Sequence, residues 1–209
     1  MAEAPRRESP LRSFFDRRRM AVAPARPGVT LTERPFLGHL NLRGDPAAPA
    51  FARAVAAATG LALPLAPNTV QDSNGLAALW LGPDEWLILT PVDGEHAVAE
   101  RLRGALGDLH ASVTDASSGQ TVLTVRGPSA WDVLAKGCRL DLHPRSSRPG
   151  TCAQTLVAKA ATLIWPREPM PEFDLIVRRS SADYLARWLE DAAQEFGVQI
   201  DAPPEVHRP

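Results

Sequence analysis

A strand, a helix, a β-hairpin, a second helix and a strand succeed one another twice along the chain, and this doubled order restricts the fold more than any other feature. In the first half Phe36 to Leu42 reads as a strand. Asp45 caps a helix with Pro46 at its first position, and Phe51, Val55 and Ala58 share one face until Gly60 ends it. Leu76 to Leu81 and Trp86 to Thr90 are apolar runs joined by Gly82, Pro83, Asp84 and Glu85, a hairpin with its turn residues in place. Asp93 caps a helix with the stripe Val98, Leu102, Ala105 and Leu106, which Gly107 stops before a strand from Ala111 to Thr114.

The second half repeats this order with larger loops. Strand 121–126, helix 128–136 and hairpin 154–158 with 161–165 are followed by a link through Pro166, Pro169 and Pro171 to strand Phe173–Val177. Ser180 and Asp183 have capping-box spacing ahead of a helix whose apolar face is Leu185, Trp188, Leu189, Ala192 and Phe196, and Gly197 ends it before Val198–Ile200. The fold class is α+β: two closely packed βαββαβ-type lobes, each an antiparallel sheet with helices on one side. The divisions expected are a basic, Pro- and Arg-rich arm at 1–28, a first lobe at 29–116, a second at 117–201 and a tail at 202–209.

The densest stretch runs from Asp115 to Ala160. Pro128 suits a first helical position, and Gly137 suits the left-handed conformation that closes a helix. Beyond it Arg139, Arg145 and Arg148 stand in a loop with one carboxylate, Asp141, and this loop is the expected contact surface. The run Ala135-Lys136-Gly137-Cys138, then Leu140-Asp141-Leu142-His143-Pro144 and Pro149-Gly150-Thr151-Cys152-Ala153-Gln154-Thr155, with Leu79-Trp80-Leu81-Gly82-Pro83-Asp84-Glu85-Trp86-Leu87 upstream, resembles the gamma subunit of heterotetrameric sarcosine oxidase across residues 30–200. That resemblance implies the folate-binding-like fold shared with the T-protein of glycine cleavage.

Charge narrows the partners. The 209 residues are 44% hydrophobic and carry a net charge of −1, which argues against a general binder of nucleic acid or acidic membrane. No run of about 18 apolar residues spans a membrane, and no apolar core follows Arg6 and Arg7, so a cytoplasmic location is expected. Residues 1–28 hold seven Arg against Glu3, Glu8 and Asp16, a net of +4 that leaves −5 for the rest. With only Leu11, Phe14 and Phe15 as apolar anchors, the arm is not expected to build a core. It reads either as a solvated tail or as a segment that lies along a partner's acidic groove.

The search for chemistry returns little. The chain has no glycine-rich dinucleotide fingerprint, phosphate loop, nucleophile elbow or paired helical His. Cys138, His143 and Cys152 invite a Cys/His pair or a metal, but both Cys also fit as reduced, small buried hydrophobes, and the trio lacks a fourth ligand. Asp84 and Glu85 are adjacent in a turn and are expected to point apart. Trp86, Trp131, Trp165 and Trp188 would suit stacking on a pterin or anchoring of a core; Trp188 lies on a helix stripe and reads as core, whereas Trp131 would also suit a contact surface.

The resemblance sharpens this. Enzymes of the T-protein fold carry an acid on the strand entering the hairpin, whereas no carboxylate occurs from Gly75 to Pro83 here. The implied role is a non-catalytic subunit, with no catalytic, cofactor or metal residues of its own, in a complex that demethylates sarcosine to glycine. Such a complex passes the one-carbon unit to tetrahydrofolate and releases hydrogen peroxide. FAD, FMN, NAD and tetrahydrofolate are then expected in the partners, the alpha, beta and delta subunits. Leu11, Phe14, Phe15, Arg139, Arg145 and Arg148 are the candidate subunit contacts. The alternatives are a stand-alone folate-binding aminomethyltransferase and the equivalent subunit of N-methylglutamate dehydrogenase.

Overall fold

The computed structural model describes residues 7–18, 25–168 and 171–203. Its elements are α1 (Arg12–Asp16), β1 (Val29–Arg34), β2 (Leu37–Gly44), α2 (Pro49–Thr59), β3 (Val70–Ser73), β4 (Leu76–Gly82), β5 (Glu85–Val92), α3 (Glu95–Leu106) and β6 (Ala111–Asp115). They continue with β7 (Gln120–Arg126), α4 (Ala130–Ala135), β8 (Ala153–Val157), β9 (Ala160–Arg167), β10 (Glu172–Arg178), α5 (Arg179–Ala193) and β11 (Val198–Ile200). One sheet has the order β3-β4-β5-β2-β6 and the other β11-β1-β7-β10-β9-β8. Every pairing is antiparallel except β1 with β11.

The alternation of side chains along each strand stacks these sheets in layers. On β5, Trp86 and Ile88 meet Phe51, Val55, Val98 and Leu102 of α2 and α3 in one core, while Leu87 and Leu89 turn the other way. On β10, Phe173, Leu175 and Val177 meet α1, α4 and α5, and Ile176 faces inward with Val122, Leu163 and Trp165. The inward sets of both sheets join in a third core, so the order of layers is helices, sheet, sheet, helices. Each large side chain so buried stabilises by roughly 1.5–3 kcal/mol.

Several expectations require correction. Leu11, Phe14 and Phe15 are not offered to a partner: they are 0%, 0% and 4% exposed and belong to the core under α5. Their spacing puts all three on one side of a single turn, and Arg18 fixes that turn by stacking on Phe14 at 4.0 Å and pairing with Glu190. Arm residues 1–6 and 19–24, with tail residues 204–209, lie outside the described residues. Strand β1, counted with the first lobe, pairs with β7 and β11 of the second sheet. A short additional strand, β3, edges the first sheet.

The helix starts also shift. Helix α2 begins at Pro49 with Ala48 before it, while Asp45 Oδ1 accepts the Ala47 N–H at 2.8 Å in the preceding turn. Helix α3 begins after Gly94, and Asp93 pairs instead with Arg7. Helix α5 begins at Arg179 without a side-chain cap, which puts Ser180 inside its first turn and not at the cap, and Asp183 accepts from Arg187 one turn onward at 2.7 Å. Pro128 precedes α4, whose first residue is Ala130. Gly60 ends α2 as expected, left-handed at φ 72°, but Gly137, expected to be left-handed, has no positive φ. It is needed for space: a Cβ there would sit 2.5 Å from the Trp188 ring.

Candidate functional site

The loop between α4 and β8 is held to both sheets. Cys138 N–H donates to Leu134 O at 2.8 Å, and Cys138 bridges Val157 of β8. At the far end Val70 N–H donates to Gly150 O and Cys152 N–H to Asn68 O, each at 2.9 Å, so the end of the loop continues as a short seam against the edge of the first sheet. Between these points Asp141 Oδ1 accepts the His143 N–H at 2.9 Å and Oδ2 accepts the Ser146 hydroxyl at 2.8 Å. The His143 backbone N–H, with Ser146, holds the Asp141 carboxyl below its ordinary range. His143 itself accepts from Arg145 N–H through Nδ1 at 3.2 Å. The acid and the imidazole of the loop thus build its turns.

Arg139, Arg145 and Arg148 are exposed on this frame, and their guanidinium groups form no hydrogen bond or ion pair with the described residues. Beside Arg148 a cavity of about 410 Å³ opens between the loop, the segment before β3 and strands β8 and β9, lined by Asn68, Thr69, Leu140, Leu142, Arg148 and Ile164 among others. Leu142 is buried beneath it, while Leu140 is 39% exposed.

The other candidates separate. Cys152 is buried with its Sγ toward Trp80 O at 3.5 Å, and burial pushes the thiol up to about 12, so it stays protonated and inert. His143 is exposed and Cys138 half-buried, and among the described residues no group of three or more His, Cys, Asp or Glu side chains is placed to hold a metal. Asp84 pairs with Arg43 at 2.6 Å and Glu85 accepts from Asn41 at 2.7 Å, which divides the two carboxylates. Trp86 is fully buried against Phe51 and donates its indole N–H to Pro64 O at 2.7 Å; Trp165 is buried between the sheets under the Arg167 guanidinium. Trp188 packs against the helix-side core, and Trp131 packs edge-on against Phe173, its indole N–H buried and without a partner. On β4, Leu76 and Ala78 face the helices and Ala77 and Leu79 face the other sheet. Trp86 is thus enclosed in a core and not exposed to stack on a flat ligand.

Buried ionisable groups were missed by reading motifs. Glu33 is fully buried on β1, accepting the hydroxyls of Ser9 and Thr121, and burial raises its pKa. Asp174, 1% exposed on β10, accepts from Thr124 and Arg34, each at 2.6 Å. His39 donates its Nδ1–H to Leu37 O, 2.9 Å away, and burial lowers its pKa to about 4, so it is neutral at pH 7. Strand alternation is the one signal that points to them, since it puts Glu33 on the face of Leu31 and Asp174 on that of Ile176.

Known proteins match this architecture along most of its length. A family model described as the sarcosine oxidase gamma subunit family matches residues 43–195. Sarcosine oxidase subunit gamma of Corynebacterium sp. (strain U-96) is 39% identical over 171 residues, 81% of this chain and 82% of that protein. The subunit of the same description from Arthrobacter sp. is 35% identical over 178 residues, covering 85% and 86%. Among solved structures, a chain of heterotetrameric sarcosine oxidase from Corynebacterium sp. U-96 in complex with pyrrole 2-carboxylate superposes with a TM-score of 0.82 at 37% identity, over 91% of this chain and 96% of that one. The glycine cleavage system aminomethyltransferase T from Bartonella henselae, at TM-score 0.62 and 15% identity over 84% of this chain and 48% of that one, shares the fold. With identity above a third sustained across four-fifths of both sequences, the chain belongs to the sarcosine oxidase gamma subunit family.

Proposed function

We propose that this chain is the non-catalytic small subunit of a heterotetrameric sarcosine oxidase and holds the larger subunits in register. The observation that carries this reading is the superposition of nearly the whole chain, 91% of it, on a chain of such a complex. In this reading the complex demethylates sarcosine oxidatively to glycine, transfers the one-carbon unit to tetrahydrofolate and releases hydrogen peroxide. The partners are the alpha, beta and delta subunits, and FAD, FMN, NAD and tetrahydrofolate are bound there. The assembly works in the cytoplasm. The apolar strand β4 and the enclosed Trp86 support a structural rather than a folate-handling role for this chain.

Arg139, Arg145 and Arg148 are its contact residues, since solvated guanidinium groups on a fixed loop are placed to bond carboxylates of a neighbour. Co-expression tests the function. The tagged chain is expressed with and without the other three subunits, and subunit content, flavin absorbance and sarcosine-dependent peroxide are measured. The expected result is a colourless, inactive lone chain and a yellow, active complex that does not assemble when the chain is left out. A lone chain that binds reduced folate tightly or turns over a methylated amine overturns the reading.

A further inference from the structure

Many arginines elsewhere on this molecule pair with acids among the described residues: Arg7 takes Asp93 and Glu95, Arg18 takes Glu190, Arg43 takes Asp84 and Arg126 takes Asp201. In the loop after α4 three arginines without such a pair cluster within ten residues. Three arginines there face a single carboxylate, Asp141, whose oxygens are both occupied by the loop's own donors. We propose that the cleft beside this loop receives an acidic segment of a partner subunit, with carboxylates on Arg139, Arg145 and Arg148 and an apolar side chain in the cavity under Leu140. This deepens the subunit reading and rests on it.

Charge, lining and rigidity agree on that occupant. Arg148 lines the cleft beside the ionised Asp141, and with Arg139 and Arg145 on the same loop the three arginines outnumber that one carboxylate, so the surface around the mouth favours an acidic segment over a basic one. Below the mouth the lining turns apolar at Leu140, Leu142 and Ile164, which favours a hydrophobic side chain over a hydrated ion. Leu140, 39% exposed at the rim, is the surface such a side chain would cover. The loop is already pinned at both ends by the bonds at Cys138, Gly150 and Cys152, so docking orders little chain and its cost is low. None of the tryptophans lines the cavity, which removes the stacking platform that single-stranded nucleic acid uses.

The test uses the whole complex. A photo-cross-linking residue replaces Leu140, and separately the triple variant Arg139→Glu, Arg145→Glu, Arg148→Glu is co-expressed with the other subunits beside the wild-type chain and a triple Arg→Lys control. Cross-links are expected in one partner segment rich in Asp and Glu. Charge reversal is expected to weaken retention of that partner by about tenfold or more, with the Lys control retaining most of it. The thermal midpoint of each isolated variant is measured in parallel and is expected to match wild type, because no guanidinium in the set is bonded to a described residue. Cross-links confined to a neutral or basic segment, or unchanged retention of the triple-Glu variant, overturn the docking inference while leaving the subunit reading intact. Failure of the wild-type chain itself to retain partners overturns both. Loss of inorganic phosphate binding by the variant without loss of assembly assigns the arginines to a small anion and also overturns docking.

Discussion

His39 shows how one buried residue ties stability to pH. Its ring is 1% exposed, its Nδ1–H is spent on Leu37 O, and its Nε2 is buried without a partner. Burial outweighs the nearby Asp115 and Glu95 carboxylates and lowers its pKa from 6.5 to about 4. A folded-state value below the unfolded one means that the unfolded chain binds the proton first as pH falls. Stability from His39 is therefore complete above about pH 6.5 and is lost as pH drops toward 4, by up to about 3 kcal/mol. Glu33 acts with the opposite sign: its raised pKa favours the protonated folded form, so its contribution is full below the ordinary carboxylate range and fades as pH rises through the folded value. The two are separated by comparing wild type with His39→Gln. Urea midpoints from pH 7.5 to 4.5 are expected to fall more steeply for wild type, and parallel curves would show that His39 is not the titrating group. Neither residue announces itself in a motif, since a lone His or Glu among apolar neighbours reads as a solvated position until its strand is assigned a face.

At the scale of elements, Gly137 separates what was legible from what was not. Its place at the end of α4 was readable, but its purpose was not, because local sequence shows a helix end and not a ring packed across it. A Cβ at Gly137 would meet Trp188 Cη2 at 2.5 Å and Ala158 N at 3.0 Å, so Gly137→Ala forces α4 and α5 apart. The variant is expected to be destabilised by about 1–3 kcal/mol, read as a lower thermal midpoint, although Ala is the better residue where only backbone freedom matters. A midpoint at or above wild type would return Gly137 to the helix-closing role. The same division runs through the chain. Strands β4, β5, β7 and β10 and helices α2, α3 and α5 were legible because alternation or a 3.6-residue stripe is intrinsic to each. Helix α1 was not, since five residues are too short to be stable alone and only the core under α5 makes Leu11, Phe14 and Phe15 a helix face. Strand β1 has the alternation, yet nothing local says that it inserts between β7 and β11. In the candidate site the arginines were legible as charge; the cavity was not, because Asn68 and Thr69 reach it from the segment before β3, distant in sequence.

The whole molecule is built from two halves of one plan that share their middle. The order β2-α2-β3-β4-β5-α3-β6 recurs as β7-α4-β8-β9-β10-α5-β11, and the sheets keep the matching orders β3-β4-β5-β2-β6 and β8-β9-β10-β7, with β1 added before β11. Each half has its own core beneath its helices, but Ala77, Leu79, Leu87 and Leu89 of one sheet can be buried only against Val122, Leu163, Trp165 and Ile176 of the other. Arg7 adds a clasp, reaching Asp93 and Glu95 from an arm otherwise seated on the second half. We therefore expect the halves to unfold together, and Leu79, fully buried at their contact, is the residue with which to ask. Leu79→Ala removes contacts from both sheets at once and is expected to cost about 2–5 kcal/mol. Under cooperative unfolding, hydrogen exchange of the most protected amides should accelerate by the same factor in β5 and in β10, although only β5 adjoins the altered strand. Acceleration confined to the five-stranded sheet would mean that the second half stands without the first, and that the shared middle is a contact between independent domains.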